Sequence, residues 1–330
     1  MTIFKNVEAM IGNTPLLYMP IKSSKCKFYM KLEKFNPGQS IKDRAAKHML
    51  LQAEREGLIR PGDTIIESSS GNTGISLAML AASRNYRFIC VVDNHVPKEK
   101  IEILEAYGTT IEYVGKDLPP DYHAAKERVE KIKELCETMP NAFFINQGDN
   151  LNNREAHYLY TAEEILAELG PIDYLFVSVG TGGSISGVGR KLKESNPNTR
   201  IIAIEPAGSI IFNKPYKPFF QSGSGSARLI FKNIDFSIVD EDYQVTDAQA
   251  FNTCRYLARS KGVLVGGSGG SVIYKSIEYL SKLPLVDGTA VAIVPDGGER
   301  YISTIFNDHW MSKHNLIDED INSFLLRYIG

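Results

Sequence analysis

Short runs of consecutive apolar residues recur along the chain, and each ends at a turn that contains Gly, Asn or Pro. A strand with one face in water would alternate apolar and polar residues, whereas these runs are apolar throughout. They are typical of central strands that helices cover on both faces. The pattern predicts strands at TII (64–66), FICVV (88–92), FFI (143–145), YLFV (174–177), IIAI (201–204) and AVAIV (290–294).

Stretches with helical spacing of apolar residues separate these runs, and most of them follow a strand closely. Strands that alternate with helices indicate an α/β fold, here with mostly parallel sheets covered by helices. Residues 208–240, rich in Gly, Ser, Pro and aromatic residues, predict a long functional loop, and residues 308–330 predict a last helix. The other predicted helices are 41–56, 72–83, 98–106, 123–136, 155–169 and 184–194.

Composition limits the class of partner. The 330-residue chain is long enough for two domains, and its formal charge of −2 gives no positive field that would attract nucleic acid or anionic lipid. No apolar run reaches the roughly 18 residues of a membrane span, and no signal pattern opens the chain. We therefore expect a cytoplasmic protein that binds small molecules. The histidines and cysteines show no ligand spacing, so no metal is expected.

Two turns that follow strands are suited to anions. The sequence SSSGNTG at 68–74 offers hydroxyls, an amide and free helix N–H groups, which suit a substrate carboxylate or only cap a helix. The sequence GTGGS at 180–184 lets the backbone approach a phosphate closely. A rival interpretation stays open at this point. Gly180-x-Gly182, with Glu205 after the next strand, partly matches a dinucleotide-binding fingerprint and would indicate an NAD-binding oxidoreductase.

Lys42 and two further turns add candidate chemistry. Lys42 stands at the start of a predicted helix, where the positive end of the helix dipole disfavours the ammonium and lowers its pKa. A lysine that is neutral near physiological pH is a nucleophile suited to a carbonyl group. The turns GGSGGS at 266–271 and PDGGERY at 295–301 offer hydroxyls and a carboxylate, or serve structure alone.

Taken in order, these motifs resemble those of the cysteine synthase and cystathionine β-synthase family of fold-type-II pyridoxal-phosphate enzymes. The likeness runs from IGNTPL at 11–16 to GERYIST at 298–304, which is nearly the whole chain. It implies two α/β domains similar to those of the tryptophan synthase β subunit. Residues 1–45 and 150–330 would form the larger, cofactor-binding domain, and residues 46–149 the smaller domain that closes on the substrate.

The resemblance also implies a role for each matching residue. Lys42 corresponds to the lysine that holds pyridoxal phosphate as a Schiff base, Asn72 to the partner of the ring hydroxyl and Ser268 to the residue that faces the pyridine nitrogen. The residues that correspond to the phosphate cup are Gly180, Thr181, Gly182, Gly183 and Ser184. Those that correspond to the clamp on the substrate α-carboxylate are Ser69, Ser70, Asn72, Thr73 and Gln147.

The implied reaction is β-replacement on an activated serine or a cysteine-like amino acid. A group leaves the β-carbon, an aminoacrylate forms, and a nucleophile adds to it. The donor stays open among O-phosphoserine, O-acetylserine, serine and cysteine, and the acceptor among sulfide, homocysteine, glutamate and water. The resemblance implies a homodimer with amino-acid substrates as its small-molecule partners.

Part of the likeness favours a more specific alternative. Residues 208–212 and 223–228 are closest to siderophore-pathway synthases that join O-phosphoserine to glutamate on the way to 2,3-diaminopropionate. Arg128 and Arg228 would then bind a phosphate or an acidic second substrate, because a planar guanidinium pairs bidentately with such anions. Otherwise each forms a surface ion pair. Gly148 stands where the family usually carries a bulky aromatic residue, and it predicts a larger pocket near the β-carbon.

Overall fold

A computed structural model describes residues 3–94, 96, 98–115, 124–227, 230–285 and 287–330. The strands of these residues form a six-stranded sheet, in the order β1-β2-β10-β7-β8-β9, and a four-stranded sheet, in the order β5-β4-β3-β6. Their bounds are β1 (Leu16–Tyr18), β2 (Cys26–Leu32), β3 (Thr64–Glu67), β4 (Arg87–Val92), β5 (Thr110–Tyr113), β6 (Ala142–Phe144), β7 (Tyr174–Ser178), β8 (Arg200–Pro206), β9 (Glu241–Val245) and β10 (Gly288–Val294). Among these described strands, only β1 and β2 pair antiparallel. The predicted α/β class with mostly parallel sheets is confirmed.

Helices separate the strands, as the sequence predicts. Their bounds are α1 (Lys42–Arg55), α2 (Asn72–Arg84), α3 (Lys98–Ala106), α4 (Ala125–Thr138), α5 (Asn152–Ala156), α6 (Ala162–Leu169), α7 (Gly183–Ser195), α8 (Asp247–Lys261), α9 (Gly267–Lys282), α10 (Asp308–Lys313) and α11 (Glu319–Ile329). A π-helical stretch, His157–Thr161, joins α5 to α6. No helix in the described ranges combines the length and the apolar character needed to cross a bilayer.

The single helix predicted over 308–330 is wrong, because the structure has two helices there. Asn307 caps α10 and Asp318 caps α11 through side-chain oxygens that accept backbone N–H groups. Between them Asn315 has a φ of 54°, a left-handed conformation that ends the first helix. Asparagine tolerates this conformation better than most residues, so the break is encoded locally.

Four strands were not predicted, and β2 is the most informative of them. It pairs with both β1 and β10, yet it carries two lysines within an otherwise apolar run. The ammonium of Lys31 is buried and lies 2.6 Å from Glu164 Oε2 and 2.6 Å from the carbonyl oxygen of Thr14. A buried charge is tolerated when it is paired and hydrogen-bonded, and partners this distant in sequence leave no local pattern.

The larger sheet has helices on both faces. In β10, Ala290, Ala292 and Val294 pack in the cluster that includes α8, α9 and α11. Val291 and Ile293, which point the other way, pack in the cluster that includes α6 and α7. Successive side chains of a strand face opposite sides of a sheet, so burial on both faces requires the uninterrupted apolar run that the sequence shows.

Helices also cover both faces of the smaller sheet, and α1 packs against one of these faces. Ile65 packs with α1, α2 and α3 on one face, and Ile66 packs with α4 on the other. The residues just before α1 are tied to the larger sheet, since the N–H of Ile41 donates to the carbonyl oxygen of Pro295 at 2.8 Å. The first residue of α1, Lys42, therefore lies where the two sheets meet.

Candidate active site

A cavity of about 260 Å³ lies at the carboxyl ends of strands from both sheets. Segments that follow β3, β6, β7 and β10 contribute to its walls. This is the edge at which parallel α/β sheets bind ligands, because the loops and helix N-termini converge there. The predicted site residues that line the cavity are Lys42, Ser69, Asn72, Thr73, Gln147, Gly180, Thr181, Gly182, Ser184 and Ser268.

Three of the other predicted residues, Ser70, Gly183 and Arg128, do not line the cavity. Ser70 is half-buried next to Ser69 without lining the cavity, and Gly183 is buried in the first turn of α7. Arg128 forms a salt bridge with Asp93 and does not line the cavity. Arg228 lies outside the described residues.

The surroundings of Lys42 favour the neutral, nucleophilic form of its amine. Burial lowers the pKa of Lys42 to about 8, and the carboxylate of Asp296 opposes this shift only in part. Removing an ammonium from water disfavours its charged form, so more of the amine is neutral near physiological pH than in an exposed lysine. A neutral amine at a cavity wall is the group that an aldehyde requires.

The pH dependence of cofactor uptake tests this pKa. With pyridoxal phosphate, the cofactor that the resemblance implies, we expect the rate of reaction with the cofactor-free protein to rise with pH and to level off above about 8, where Lys42 becomes neutral. Stopped-flow absorbance at a series of pH values measures that rate. A lysine exposed to water has a pKa of about 10.4. A rate that kept rising to such a pH would contradict the assignment.

The glycine turn after β7, residues 180–184, forms a cradle that packs too closely against neighbouring segments to accept side chains at Gly180 and Gly182. A Cβ on Gly180 would lie 2.8 Å from the carbonyl oxygen of Gly223, and one on Gly182 would lie 2.3 Å from Ile234 Cγ1. Gly182 also has a φ of 89°, a left-handed conformation, and it caps α7. The cradle thus brings backbone and the N-terminus of a helix to the cavity, which fits a phosphate group.

Asn153 supports this cradle and was not predicted. Its Nδ2 donates to Thr181 Oγ1 at 3.1 Å and to the carbonyl oxygen of Gln147 at 2.8 Å. A Cβ on Gly183 would lie 2.1 Å from Asn153 Oδ1, which explains why a glycine follows Gly182. One amide therefore holds the turn after β7 against the segment after β6.

The turn after β3 closes tightly on the start of α2. A Cβ on Gly74 would lie 1.7 Å from the carbonyl oxygen of Ser69, so only glycine permits this loop. Thr73 Oγ1 donates to Gln147 Oε1 at 2.5 Å, which joins the two parts of the predicted carboxylate clamp. The clamp offers hydroxyl and amide groups at one wall of the cavity.

Glu67 holds the backbone of the predicted clamp in place through hydrogen bonds, and sequence reasoning missed this role. Its side chain is buried, with Oε1 accepting the N–H of Ser68 at 2.7 Å and Oε2 accepting the N–H of Gln147 at 3.0 Å. Burial raises the pKa of Glu67 to about 7, against the effect of these two hydrogen bonds. A carboxylate at the end of an apolar strand, directly before the serine turn, is the signal that could have identified it.

Loss of the Glu67 charge should weaken substrate binding. Because its pKa is raised, Glu67 is ionised only above about pH 7, and protonation below that value removes one acceptor for the clamp N–H groups. We expect KM for the amino-acid donor to rise as pH falls through 7. Glu67→Gln should raise KM at pH 8 by about tenfold, since hydrogen bonds to charged groups contribute about 1.5–3 kcal/mol.

Steady-state kinetics at several pH values provide the measurement. The control is Glu105→Gln, which changes an exposed glutamate on α3. A Glu67→Gln enzyme with the KM and the pH profile of the control would show that the clamp does not depend on this carboxylate.

The turn at 295–301 orients Asn72 through a hydrogen-bond network. Asp296 is buried, and its Oδ2 accepts from Asn72 Nδ2 at 2.8 Å and from the hydroxyl of Tyr301 at 2.7 Å. Arg300 donates to Asn72 Oδ1 and, at 2.6 Å, to the carbonyl oxygen of Gly38. The network fixes the Asn72 amide with its oxygen toward Arg300 and its nitrogen toward Asp296. Of the two sequence interpretations of this turn, the orienting role is therefore correct.

The larger pocket predicted from Gly148 is wrong. A Cβ on Gly148 would lie 2.5 Å from Cδ1 of Phe231, so the phenyl ring of Phe231 occupies the space. Phe231 itself lines the cavity. An aromatic ring of the irregular segment at 208–240, far along the chain, thus takes the place of the side chain that Gly148 lacks.

Glu205 does not have the surroundings of a ribose-binding acid. It is buried, and its Oε1 accepts from Gln244 Nε2 at 3.1 Å on the neighbouring strand β9. It does not line the cavity that the glycine turn borders. The geometry therefore gives no support to the dinucleotide interpretation of Gly180-x-Gly182.

The cavity has groups that fit pyridoxal phosphate and an amino acid: a desolvated lysine, a glycine turn at a helix N-terminus, an oriented asparagine and a wall of hydroxyl and amide groups. The family model "Pyridoxal-phosphate dependent enzyme" matches residues 7–296. The chain belongs to this family and is a pyridoxal-phosphate-dependent enzyme. The predicted family and cofactor are confirmed, and the oxidoreductase alternative is set aside.

Individual members of the family show which of its enzymes the chain is similar to. The chain is 45% identical over 318 residues to a Sinorhizobium fredii protein named "putative cysteine synthase", covering 96% of this chain and 94% of that one. It is 37% identical over 324 residues to the cystathionine β-synthase of Apis mellifera, covering 96% of this chain and 64% of the bee protein. Among solved structures, a hydrogen sulfide-producing enzyme from Fusobacterium nucleatum superposes with a TM-score of 0.86 at 37% identity, covering 91% of this chain and 99% of that one.

Proposed function

We propose that this enzyme catalyses β-replacement on an activated serine or a cysteine-like amino acid, as a cysteine synthase does. The observation that carries the proposal is the meeting of Lys42, the phosphate cradle and the carboxylate clamp in one cavity of about 260 Å³. Relatives named for cysteine synthase and cystathionine β-synthase support the same chemistry. Bound pyridoxal phosphate would supply the electron sink for a carbanion at the substrate Cα.

Each group of residues in the cavity would then have its own role in binding or catalysis. Lys42 would hold the cofactor through its amine and, when that amine is free, would remove the Cα proton. The residues that would hold the cofactor phosphate are Gly180, Thr181, Gly182, Gly183 and Ser184. Asn72 would donate to the ring hydroxyl, and Ser268, buried at the start of α9, would be the partner of the ring nitrogen. The substrate carboxylate binds at Ser69, Ser70, Asn72, Thr73 and Gln147.

We further propose the division into a larger cofactor domain of residues 1–45 and 150–330 and a smaller closing domain of residues 46–149. The sheet membership supports it, because β3 to β6 form the smaller sheet and the other strands the larger. A cavity between two such units can close by a movement of one against the other. A homodimer and a cytoplasmic location complete the proposal, on the strength of the family resemblance.

The siderophore-type alternative, with O-phosphoserine as donor and glutamate as acceptor, stays a second candidate. One observation favours it: hydroxyl-bearing residues of the irregular segment, Ser222 and Ser224, line the cavity. Against it, Arg128 is already paired with Asp93 and does not line the cavity.

A scan of donors and acceptors tests the proposal. The purified holoenzyme should absorb near roughly 410 nm, and a productive donor should deplete this band until an acceptor restores it. We expect O-acetylserine or O-phosphoserine to deplete the band and sulfide or an amino-acid nucleophile to restore it, with the product identified by mass spectrometry. Depletion by O-phosphoserine alone and restoration by glutamate alone would support the siderophore-type reaction. No depletion by any serine or cysteine derivative would contradict β-replacement.

A further inference from the structure

A second, larger cavity adjoins the proposed active site. Its volume is about 840 Å³, and it shares Lys100, Ser222 and Tyr301 with the inner cavity of about 260 Å³. Its walls are partly apolar, with the side chains of Ile103, Tyr107, Phe220, Phe251, Ile305 and Trp310. The outer cavity therefore has room for an organic molecule larger than sulfide, next to the place where the chemistry occurs.

Lys100 places an amine at the junction of the two cavities. It lies on α3, and its ammonium makes neither a salt bridge nor a hydrogen bond within the ranges that the structure describes. Burial lowers the pKa of Lys100, while Asp296 favours its charged form. By contrast Lys98, two residues earlier on α3, is exposed and paired with Glu102 at 3.0 Å. A partly desolvated ammonium with no direct ion pair among the described residues is a group that an anionic ligand would stabilise.

Arg300 adds a second cation at the wall of the outer cavity. Both of its hydrogen bonds go to neutral oxygens, those of Asn72 and Gly38. Two carboxylates also line this cavity, Glu99 and Glu299, but Glu299 is paired with Lys34 at 2.6 Å. Lys100 and Arg300 therefore bring two cations to the walls of the outer cavity.

We propose that Lys100, assisted by the charge of Arg300, binds an anionic oxygen group of a substrate at the junction of the two cavities. The source that the geometry favours is the carboxylate of the second substrate, an organic nucleophile held in the outer cavity with its reactive atom toward Lys42. An anionic leaving group on the donor has the same chemistry and is the other source. The inference rests on the proposed β-replacement, because it assigns that reaction a second-substrate site.

Paired substrates that differ only in charge test the proposal on the holoenzyme. With one donor, kcat/KM is measured for 3-mercaptopropionate and for 3-mercapto-1-propanol, which carries a hydroxyl in place of the carboxylate. We expect the charged thiol to be preferred, and Lys100→Gln to reduce this preference by at least about tenfold, the size of effect that loss of one partner of a buried charge pair produces. Lys100→Arg should retain most of it. The matched control, Lys98→Gln, should keep the wild-type ratio.

A parallel comparison separates the two sources. The rate at which the cofactor band near roughly 410 nm is depleted is measured with O-phosphoserine and with O-acetylserine, before any acceptor is added. A change in the phosphoserine preference of Lys100→Gln assigns the junction to the leaving group, and a change in the thiol preference assigns it to the acceptor. A variant with both preferences unchanged overturns the anion site. Wild-type enzyme in which no donor depletes the band would instead contradict β-replacement itself, which keeps the two failures distinct.

Discussion

Replacing Lys42 with alanine is expected to lower kcat by at least about a thousandfold, because the variant loses both the covalent attachment of the cofactor and the base for the Cα proton. The variant should still bind pyridoxal phosphate through the cradle at 180–184, so bound cofactor and lost turnover can be measured on one sample. Steady-state assay with the best donor and acceptor, together with the absorption spectrum, provides the measurement.

Lys47→Ala is the matched control for this variant. Lys47 lies on the same helix α1, and its ammonium donates to the carbonyl oxygen of Glu8 at 2.9 Å, away from the cavity. We expect the control to retain the spectrum and turnover of the wild type. A Lys42→Ala enzyme with turnover within a few-fold of this control would rule out the proposed role.

Gly182→Ala should have the second-largest effect, on both cofactor affinity and stability. The substitution places a side chain at a φ of 89° and puts its Cβ 2.3 Å from Ile234 Cγ1 and 2.8 Å from Ile234 Cα. Strain of this kind costs about 1–3 kcal/mol, and overpacking adds a similar amount. We therefore expect the free energy of unfolding to fall by about 2–5 kcal/mol and the Kd of pyridoxal phosphate to rise by at least about tenfold.

Gly262→Ala separates the two contributions. Gly262 has a φ of 68°, but a Cβ there would meet nothing within 4 Å, and the residue caps α8 away from the cavity. This control should lose stability through backbone strain alone and keep the wild-type Kd. Denaturant unfolding and cofactor titration give the two quantities, and equal Kd values for both variants would contradict the cradle.

Features encoded by neighbouring residues were predictable from the sequence. The apolar runs of β10 and β7 predicted strands that helices cover on both faces. This prediction depends only on the residues within each strand. Gly182 and Lys42 were predicted for a similar reason. A glycine-rich turn before a helix, and a lysine at a helix start, have properties that follow from the adjacent backbone.

Features that depend on distant partners were not predictable. Strand β2 was not predicted because its two lysines interrupt the apolar pattern. The burial of Lys31 depends on its ion pair with Glu164, which is distant in sequence. The pocket expected at Gly148 is filled by Phe231, and no local pattern joins these positions. Asp296 has a defined role only because Asn72 is brought beside it by the packing of the two sheets. Tertiary contacts of this kind decide the shape of the site after the local motifs have placed its parts.

The most direct test of the central claim is to locate the cofactor on the chain. The holoenzyme is treated with borohydride, which fixes the cofactor to the amine that carries it, then digested and sequenced by mass spectrometry. We predict a single labelled peptide with the modification on Lys42. A label on Lys100, which also lines the inner cavity, or a cofactor that borohydride does not fix, would contradict the account.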